Sequence, residues 1–347
     1  MPHGIAIGSG HMIYGTTYEG GTNGNGTIYA VNTDGTGFAI LHTFSATSTL
    51  SFAGGTNGDG ANPLQENFLL LASTLYGTTI NGGTNSGANQ GQGVVFALST
   101  NGTSNGAAFQ TLYTFNGNFT PGTISTNNSG ATPSGGLTIS GETLYGTTVS
   151  GGSNGNGIIF AIGTNGTSFT NLHEFAMTQP NRDSQPTNSD GTQPLCSLLL
   201  SNTTLYGTAA GGSAASYGTL FAINTDGTGF TNFYNFGTGP SSATALHPES
   251  TLVLAGNTLY GTTFAGVGLY GGAVYGMVVG GSDLFPTPLN IQMSGASVEL
   301  TWNSDSPFFS LQASHDATGP FTNIAGATSP YLILPTAAQQ FFRLVGN

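Results

Sequence analysis

Leu144-Tyr145-Gly146-Thr147-Thr148 is one of five near-copies in the chain. The others are Ile13-Tyr14-Gly15-Thr16-Thr17, Leu75-Tyr76-Gly77-Thr78-Thr79, Leu205-Tyr206-Gly207-Thr208-Ala209 and Leu259-Tyr260-Gly261-Thr262-Thr263. Their tyrosines stand 62, 69, 61 and 54 residues apart. Self-similarity at a long, nearly regular interval marks a repeat architecture, so the chain reads as five units rather than one irregular domain.

Working outward from Tyr145, four strand-like runs recur in fixed order. Gly136-Leu137-Thr138-Ile139 turns at Ser140-Gly141 into Thr143 to Thr148, and the loop Gly151 to Gly157 leads to Ile158-Ile159-Phe160-Ala161-Ile162. Thr164-Asn165-Gly166-Thr167 then turns the chain into Phe169 to Phe175. Asn-Gly and Asp-Gly supply the positive φ that tight hairpins require, which predicts a four-stranded antiparallel meander. The third run is apolar throughout (Ile28 to Val31, Val94 to Leu98, Ile158 to Ile162, Leu220 to Ile223, Val274-Tyr275), as expected of a strand covered on both faces. The longest connections, such as Ser45 to Pro63 and Ala176 to Pro194, join the fourth run of one unit to the first of the next. That is the wiring of a propeller blade. The expected fold is all-β: a β-propeller of about five four-stranded antiparallel blades over 1–280, with an open stack of sheets as its rival. A Gly/Pro-rich linker at 281–288 and a small C-terminal β-sandwich at 289–347 follow it, with Trp302 in the sandwich core.

Composition narrows the function. Glycine is 57 of 347 residues and only 5% are charged, yet 37% are apolar, so the chain is neither a disordered polymer nor a collagen. Two cations, Arg182 and Arg343, stand against 14 acids for a net charge of −12. No basic patch exists to neutralise phosphates, and nucleic acid is excluded as a partner. Cys196 is the only cysteine and sits in an apolar run, where a small buried thiol is expected. No apolar run approaches the roughly 18 residues of a membrane span. Met1-Pro2-His3-Gly4 does not read as a signal peptide, so export information is expected to have been removed or to belong to a longer product.

The Leu-Tyr-Gly-Thr-Thr run, the following Gly-Gly, Asn-Thr-Asp-Gly-Thr-Gly-Phe, Leu-His-x-Phe and Pro-x-x-x-Leu together resemble the GloVer-type tandem repeat of exported bacterial proteins. The resemblance covers about 280 residues. It implies an extracellular or cell-surface β-repeat protein and brings no established chemistry with it. The final segment resembles the small fibronectin type III-like sandwich that closes many such proteins.

Candidate chemistry is sparse. His42 and His173 occupy the repeat position of Tyr113 and Tyr234, which assigns them the role of flat aromatic spacers. Asp34 and Asp226, in Asn-Thr-Asp-Gly-Thr-Gly, share oxygen ligands with calcium loops but lack the full ligand ladder and the closing Glu. The best binding candidates are Asp59, Asn62, Asp190 and Gln193, in Asn57 to Pro63 and Asn188 to Pro194 on the long crossings, where a polar or calcium-assisted site would lie. No catalytic residue and no metal cluster is identified, and no Gly-x-Ser-x-Gly elbow or metal-spaced His/Cys set occurs.

The expected function is therefore non-enzymatic: an extracellular scaffold for adhesion or ligand binding, with a glycan or cell-surface component as partner. The alternative is a secreted carbohydrate-active enzyme with carboxylates converging on the axis. The fifth unit lacks a Phe-x-x-Leu-x-x-Phe run, which leaves an open edge at Ala273, Val274 and Tyr275. That edge is expected to be completed by a strand preceding Met1, by the C-terminal domain or by a neighbouring copy, which would make a homo-oligomer or polymer.

Overall fold

In the computed structural model the described residues are 2–8, 11–48, 55–63, 68–84, 91–101, 108–116, 127–180, 186–237, 245–266, 271–279, 289–294, 297–301, 309–324, 326–328, 330–334 and 340–346. The first sheet is β1 (Pro2–Ile7), β2 (Met12–Thr17), β3 (Thr27–Asn32) and β4 (Ala39–Thr43). The second is β5 (Leu69–Leu71), β6 (Thr74–Thr79), β7 (Val94–Ser99) and β8 (Phe109–Thr114). The third is β9 (Thr138–Ser140), β10 (Thr143–Thr148), β11 (Ile158–Gly163) and β12 (Thr170–Glu174). A two-residue ladder of β13 (Gln179–Pro180) and β14 (Pro186–Thr187) precedes the fourth sheet. That sheet is β15 (Leu199–Ser201), β16 (Thr204–Ala209), β17 (Thr219–Asn224) and β18 (Thr231–Asn235). Each of these four sheets is an antiparallel meander in chain order. The fold is all-β, without helix among the described residues, and its succession of four-stranded sheets is propeller-like.

The fifth sheet adds β19 (Leu246–Pro248), β20 (Val253–Ala255), β21 (Thr258–Ala265) and β22 (Val274–Val278), with β19, β20 and β22 all paired to β21. The strand that would follow β22 as the fourth of a repeat does not occur among the described residues. Residues 289–346 contain β23 (Asn290–Ser294), β24 (Ser297–Thr301), β25 (Phe309–Ser314), β26 (Thr322–Asn323), β27 (Tyr331–Ile333) and β28 (Phe341–Gly346). They form two three-stranded sheets around Leu289, Leu300 and Leu311. Trp302 and the linker 281–288 lie outside the described residues.

The repeated motif has one job for each residue. Opposite its glycine stands an aromatic residue in every sheet: Gly15 and Tyr29, Gly77 and Phe96, Gly146 and Phe160, Gly207 and Phe221, Gly261 and Tyr275. A Cβ at Gly146 would come within 2.6 Å of the Phe160 ring. The ring lies flat over the bare backbone, and only glycine leaves room for it. The preceding Tyr packs on the next sheet. In the first four sheets the threonine after the glycine is buried, and it reaches across as well: Thr78 donates to Pro133 O at 3.4 Å and Thr147 to Cys196 O at 3.2 Å. The final threonine satisfies the backbone where the strand leaves for its Gly-rich loop. Thr148 donates to Ser150 O at 2.9 Å and accepts from Ile158 N at 3.2 Å.

Each sheet thus has a leading face, which meets the next sheet, and a trailing face, which meets the preceding one. Tyr14, Ile28, Leu41 and Phe44 pack on Phe68, Leu75, Phe96 and Leu98. Equivalent clusters join sheets two and three, three and four, and four and five. Among the described residues no core cluster joins sheet five to sheet one.

Candidate binding surface at the joints between sheets

The long crossings end in loops that staple one sheet to the next. In the first, Asn57 donates through Nδ2 to Ser45 O (2.9 Å) and Gly60 O (2.7 Å), and its Oδ1 accepts from Gly60 N and Gly83 N. Asn188 makes the same four bonds in the third crossing, to Ala176 O, Gly191 O, Gly191 N and Ser213 N. An Asn side chain offers two donors and one acceptor oxygen, and here all are used inside the protein.

Asp59 and Asp190 complete these joints. Asp59 Oδ2 lies 3.0 Å from His42 Nε2, and the carboxylate accepts from Ser45 N and Ser45 Oγ. Asp190 Oδ2 lies 2.8 Å from His173 Nε2 and accepts from Ala176 N. Each histidine belongs to the outermost strand of one sheet and its aspartate to the loop entering the next. Burial pushes the Asp59 carboxyl up, but the bonds from His42 and Ser45 outweigh it and hold the carboxyl below its ordinary range.

The imidazoles also stack, as flat spacers would. His42 lies 4.0 Å from Phe109 at 11°, and His173 lies 3.6 Å from Phe230 at 4°. Tyr113 replaces them in the second joint, stacked 3.8 Å from Phe169. A β-bulge at one equivalent step, Ile28/Tyr29, Val95/Phe96, Ile159/Phe160 and Leu220/Phe221, re-aims the fourth strand beside these rings. The His–Asp partnership has a signal within the repeat itself. Both histidines are followed by an aspartate 17 residues on, whereas Tyr113 is followed by Ser129 in the equivalent loop. Tyr113 hydrogen-bonds that serine, and burial raises its phenol above the ordinary value.

Asn62 and Gln193 occupy one equivalent backbone position, together with Thr132 and His247. All four have φ between 55° and 59° and precede a proline. Their N–H groups donate backward to Asn25 O, Asn156 O, Gln92 O and Tyr217 O, so the unusual conformation is held by the preceding sheet. The Asn62 amide donates to Tyr18 O and accepts from Asn81 Nδ2. Asp59 and Asn62, like Asp190 and Gln193, therefore lie within single joints, and the two joints belong to different sheet pairs.

Elsewhere, Asp34 and Asp226 each accept from the N–H and Oγ1 of the threonine two residues on, closing Asx-turns that hold both carboxyls below their ordinary range. No group of three His, Cys, Asp or Glu side chains able to hold a metal occurs among the described residues. Cys196 is buried at 3% exposure. Ala273 bonds Thr263 through its backbone, and Val274 and Tyr275 lie on β22, which pairs with β21 alone among the described strands. The Thr258 end of the leading face of sheet five meets the C-terminal sheets. Thr258, Tyr260 and Val274 share with Leu289, Ile291, Phe342 and Arg343 a cavity of about 40 Å³, room for a few waters.

The model of the Gloeobacter/Verrucomicrobia repeat matches residues 1–187 and 46–275. The chain belongs to that repeat family. No curated protein matches it. Among solved structures, the repeat protein is similar to a polysaccharide lyase of the PL25 family, an ulvan lyase, with a TM-score of 0.49 and 10% identity over 93% of this chain and 83% of the other. A nidogen/laminin complex gives a TM-score of 0.45 at 14% identity, over 80% and 76% of the two chains. The aldose sugar dehydrogenase of Streptomyces coelicolor gives 0.43 at 13%, over 87% and 88%.

Proposed function

We propose that the protein is a non-enzymatic extracellular scaffold, an array of repeat sheets that displays its loops for adhesion or ligand binding at a bacterial cell surface. The observation that carries this reading is where the polar side chains are used. Asn57, Asp59, Asn188 and Asp190, the most polar residues of the crossings, bond other parts of the chain rather than facing a common cleft. Polar groups between sheets three and four are likewise engaged with each other: Ser134 donates to Leu195 O, Ser197 accepts from Gly136 N and Thr147 donates to Cys196 O. Glycoside cleavage needs two carboxyl groups about 5–10 Å apart around a sugar. Asp59 and Asp190 belong to different joints, and Asp34 and Asp226 close exposed Asx-turns. The partner class this supports is a neutral glycan or a cell-surface polymer, met by the Thr-, Asn- and Gly-rich loops without phosphate recognition. Part of the same reading is self-assembly by strand addition at β22, which pairs with β21 alone among the described strands. A glycan and polysaccharide array, with turnover measured on every hit, tests it. Binding without product formation is expected, and hydrolysis or elimination at an enzymatic rate would sink the reading.

A further inference from the structure

Of the large apolar side chains that the described repeats leave exposed, six lie on two faces, besides Ile40, Leu71, Met177 and Tyr217. Ile5, Ile7 and Phe38 on the trailing face of sheet one are 54%, 73% and 64% exposed; Val253, Phe264 and Val274 on the leading face of sheet five are 62%, 73% and 54% exposed. At the repeat position of Val274 stand Ile28, Val95, Ile159 and Leu220, each 0% exposed under the next sheet. Thr262 is exposed, while its equivalents Thr16, Thr78, Thr147 and Thr208 are 2% exposed or less. At the other end, Phe38 stacks on Tyr29 of its own sheet, as Phe109 stacks on Phe96. Phe109 also carries the preceding sheet's His42 on its other side, and no ring contact of that kind reaches Phe38 among the described residues.

The two ends therefore present parts of the two halves of the joint that the chain already makes four times, leading face on trailing face, with Tyr260 and Val274 also lining the cavity against the C-terminal sheets. We propose that a second copy docks its first sheet's trailing face on the fifth sheet's leading face, head to tail. Such a heterologous contact does not use itself up, so copies add in series into filaments, or into rings where the rotation closes. The joint is smaller than the internal ones, because among the described residues sheet five has no fourth strand with its Leu-His/Tyr-x-Phe and the C-terminal sheets take the Thr258 end of the face. Copies of net charge −12 also repel each other. Association is consequently concentration-dependent and rises with salt. The proposal rests on the scaffold reading and names a surface for its self-assembly.

Sedimentation velocity on the full chain in about 0.5 M salt tests it, with Ile7→Glu and Phe264→Glu as variants. Both side chains are exposed, and unchanged circular dichroism melts verify folding. The wild type should form a concentration-dependent ladder of oligomers, and each variant alone should be at least tenfold weaker. A mixture of the two should recover dimers that grow no further, since each variant keeps one intact face. A wild type that stays monomeric, or a mixture that does not associate, overturns the proposal. Self-association that survives Ile7→Glu also overturns it, and assigns assembly to the β22 edge. None of these outcomes depends on glycan binding, which the array tests separately.

Discussion

Sheets three and one are built from the same strands, yet among the described residues sheet three shares a core with a sheet on each side and sheet one with sheet two alone. In sheet three, Leu144 and Phe160 on the trailing face and Ile159 on the leading face are all 0% exposed. In sheet one, Ile28 on the leading face is as deeply buried, while Ile5, Ile7 and Phe38 on the trailing face stand in solvent. A repeat of this kind has no core of its own. Its apolar residues become core only where another repeat arrives, so stability accrues at the joints.

The largest test of that contrast pairs Phe160→Ala with Phe38→Ala. Phe160 fills the joint between sheets two and three, and truncating it should cost about 3–5 kcal/mol in chemical denaturation. Phe38→Ala at the uncovered end should stay within about 0.5 kcal/mol. Equal costs would mean that sheet one's trailing face is covered in solution.

A second test separates the two kinds of joint. The first joint holds His42 with Asp59 and the second holds Tyr113 with Ser129, so the double change His42→Tyr with Asp59→Ser rewrites one as the other. Each single change should destabilise, because a buried partner is left with unmet bonds. The double variant should recover about 1–2 kcal/mol relative to the sum of the singles. Additive losses would show that ring and loop act independently.

Acid sharpens the same difference. The Asp59 and Glu174 carboxyls are held below their ordinary values: burial raises both, outweighed at Asp59 by His42 and Ser45 and at Glu174 by Ser153 and Asn171. A depressed folded value means stability that is present above the ordinary carboxylate range and is lost as pH falls through the folded value. Melting temperature should therefore fall as pH is lowered below about 4. Asp59→Asn should flatten part of that fall, and an identical acid profile in the variant would rule out this joint as a source.

The smallest expected effect is a gain. Tyr275 is 4% exposed, its hydroxyl has no hydrogen-bond partner among the described residues, and burial drives the phenol upward. Three of the equivalent positions are Phe96, Phe160 and Phe221. Tyr275→Phe should raise stability by about 1 kcal/mol, and a loss would reveal a partner for that oxygen.

The repeat unit was legible in the chain because its determinants are local. Tyr-Gly-Thr-Thr, Asn-Gly turns and an apolar third run dictate hairpins whatever surrounds them, and the absent Phe-x-x-Leu-x-x-Phe after Tyr275 was visible by comparison with its neighbours. The histidines were half legible: exchange with tyrosine revealed the flat stacking role, while the bond to an aspartate 17 residues away required noticing that the two positions change together. Asp59, Asn62 and Asp190 read as ligand candidates because a loop sequence does not say which side-chain atoms the rest of the chain will engage, whereas Gln193 is held through its backbone and stays exposed. Only the tertiary structure brought Ser45, Ala176 and Tyr18 to them. It also decided which apolar faces are core and which are ends. Burial is a property of the pair of sheets, so the sequence of one sheet does not state which of its faces is covered.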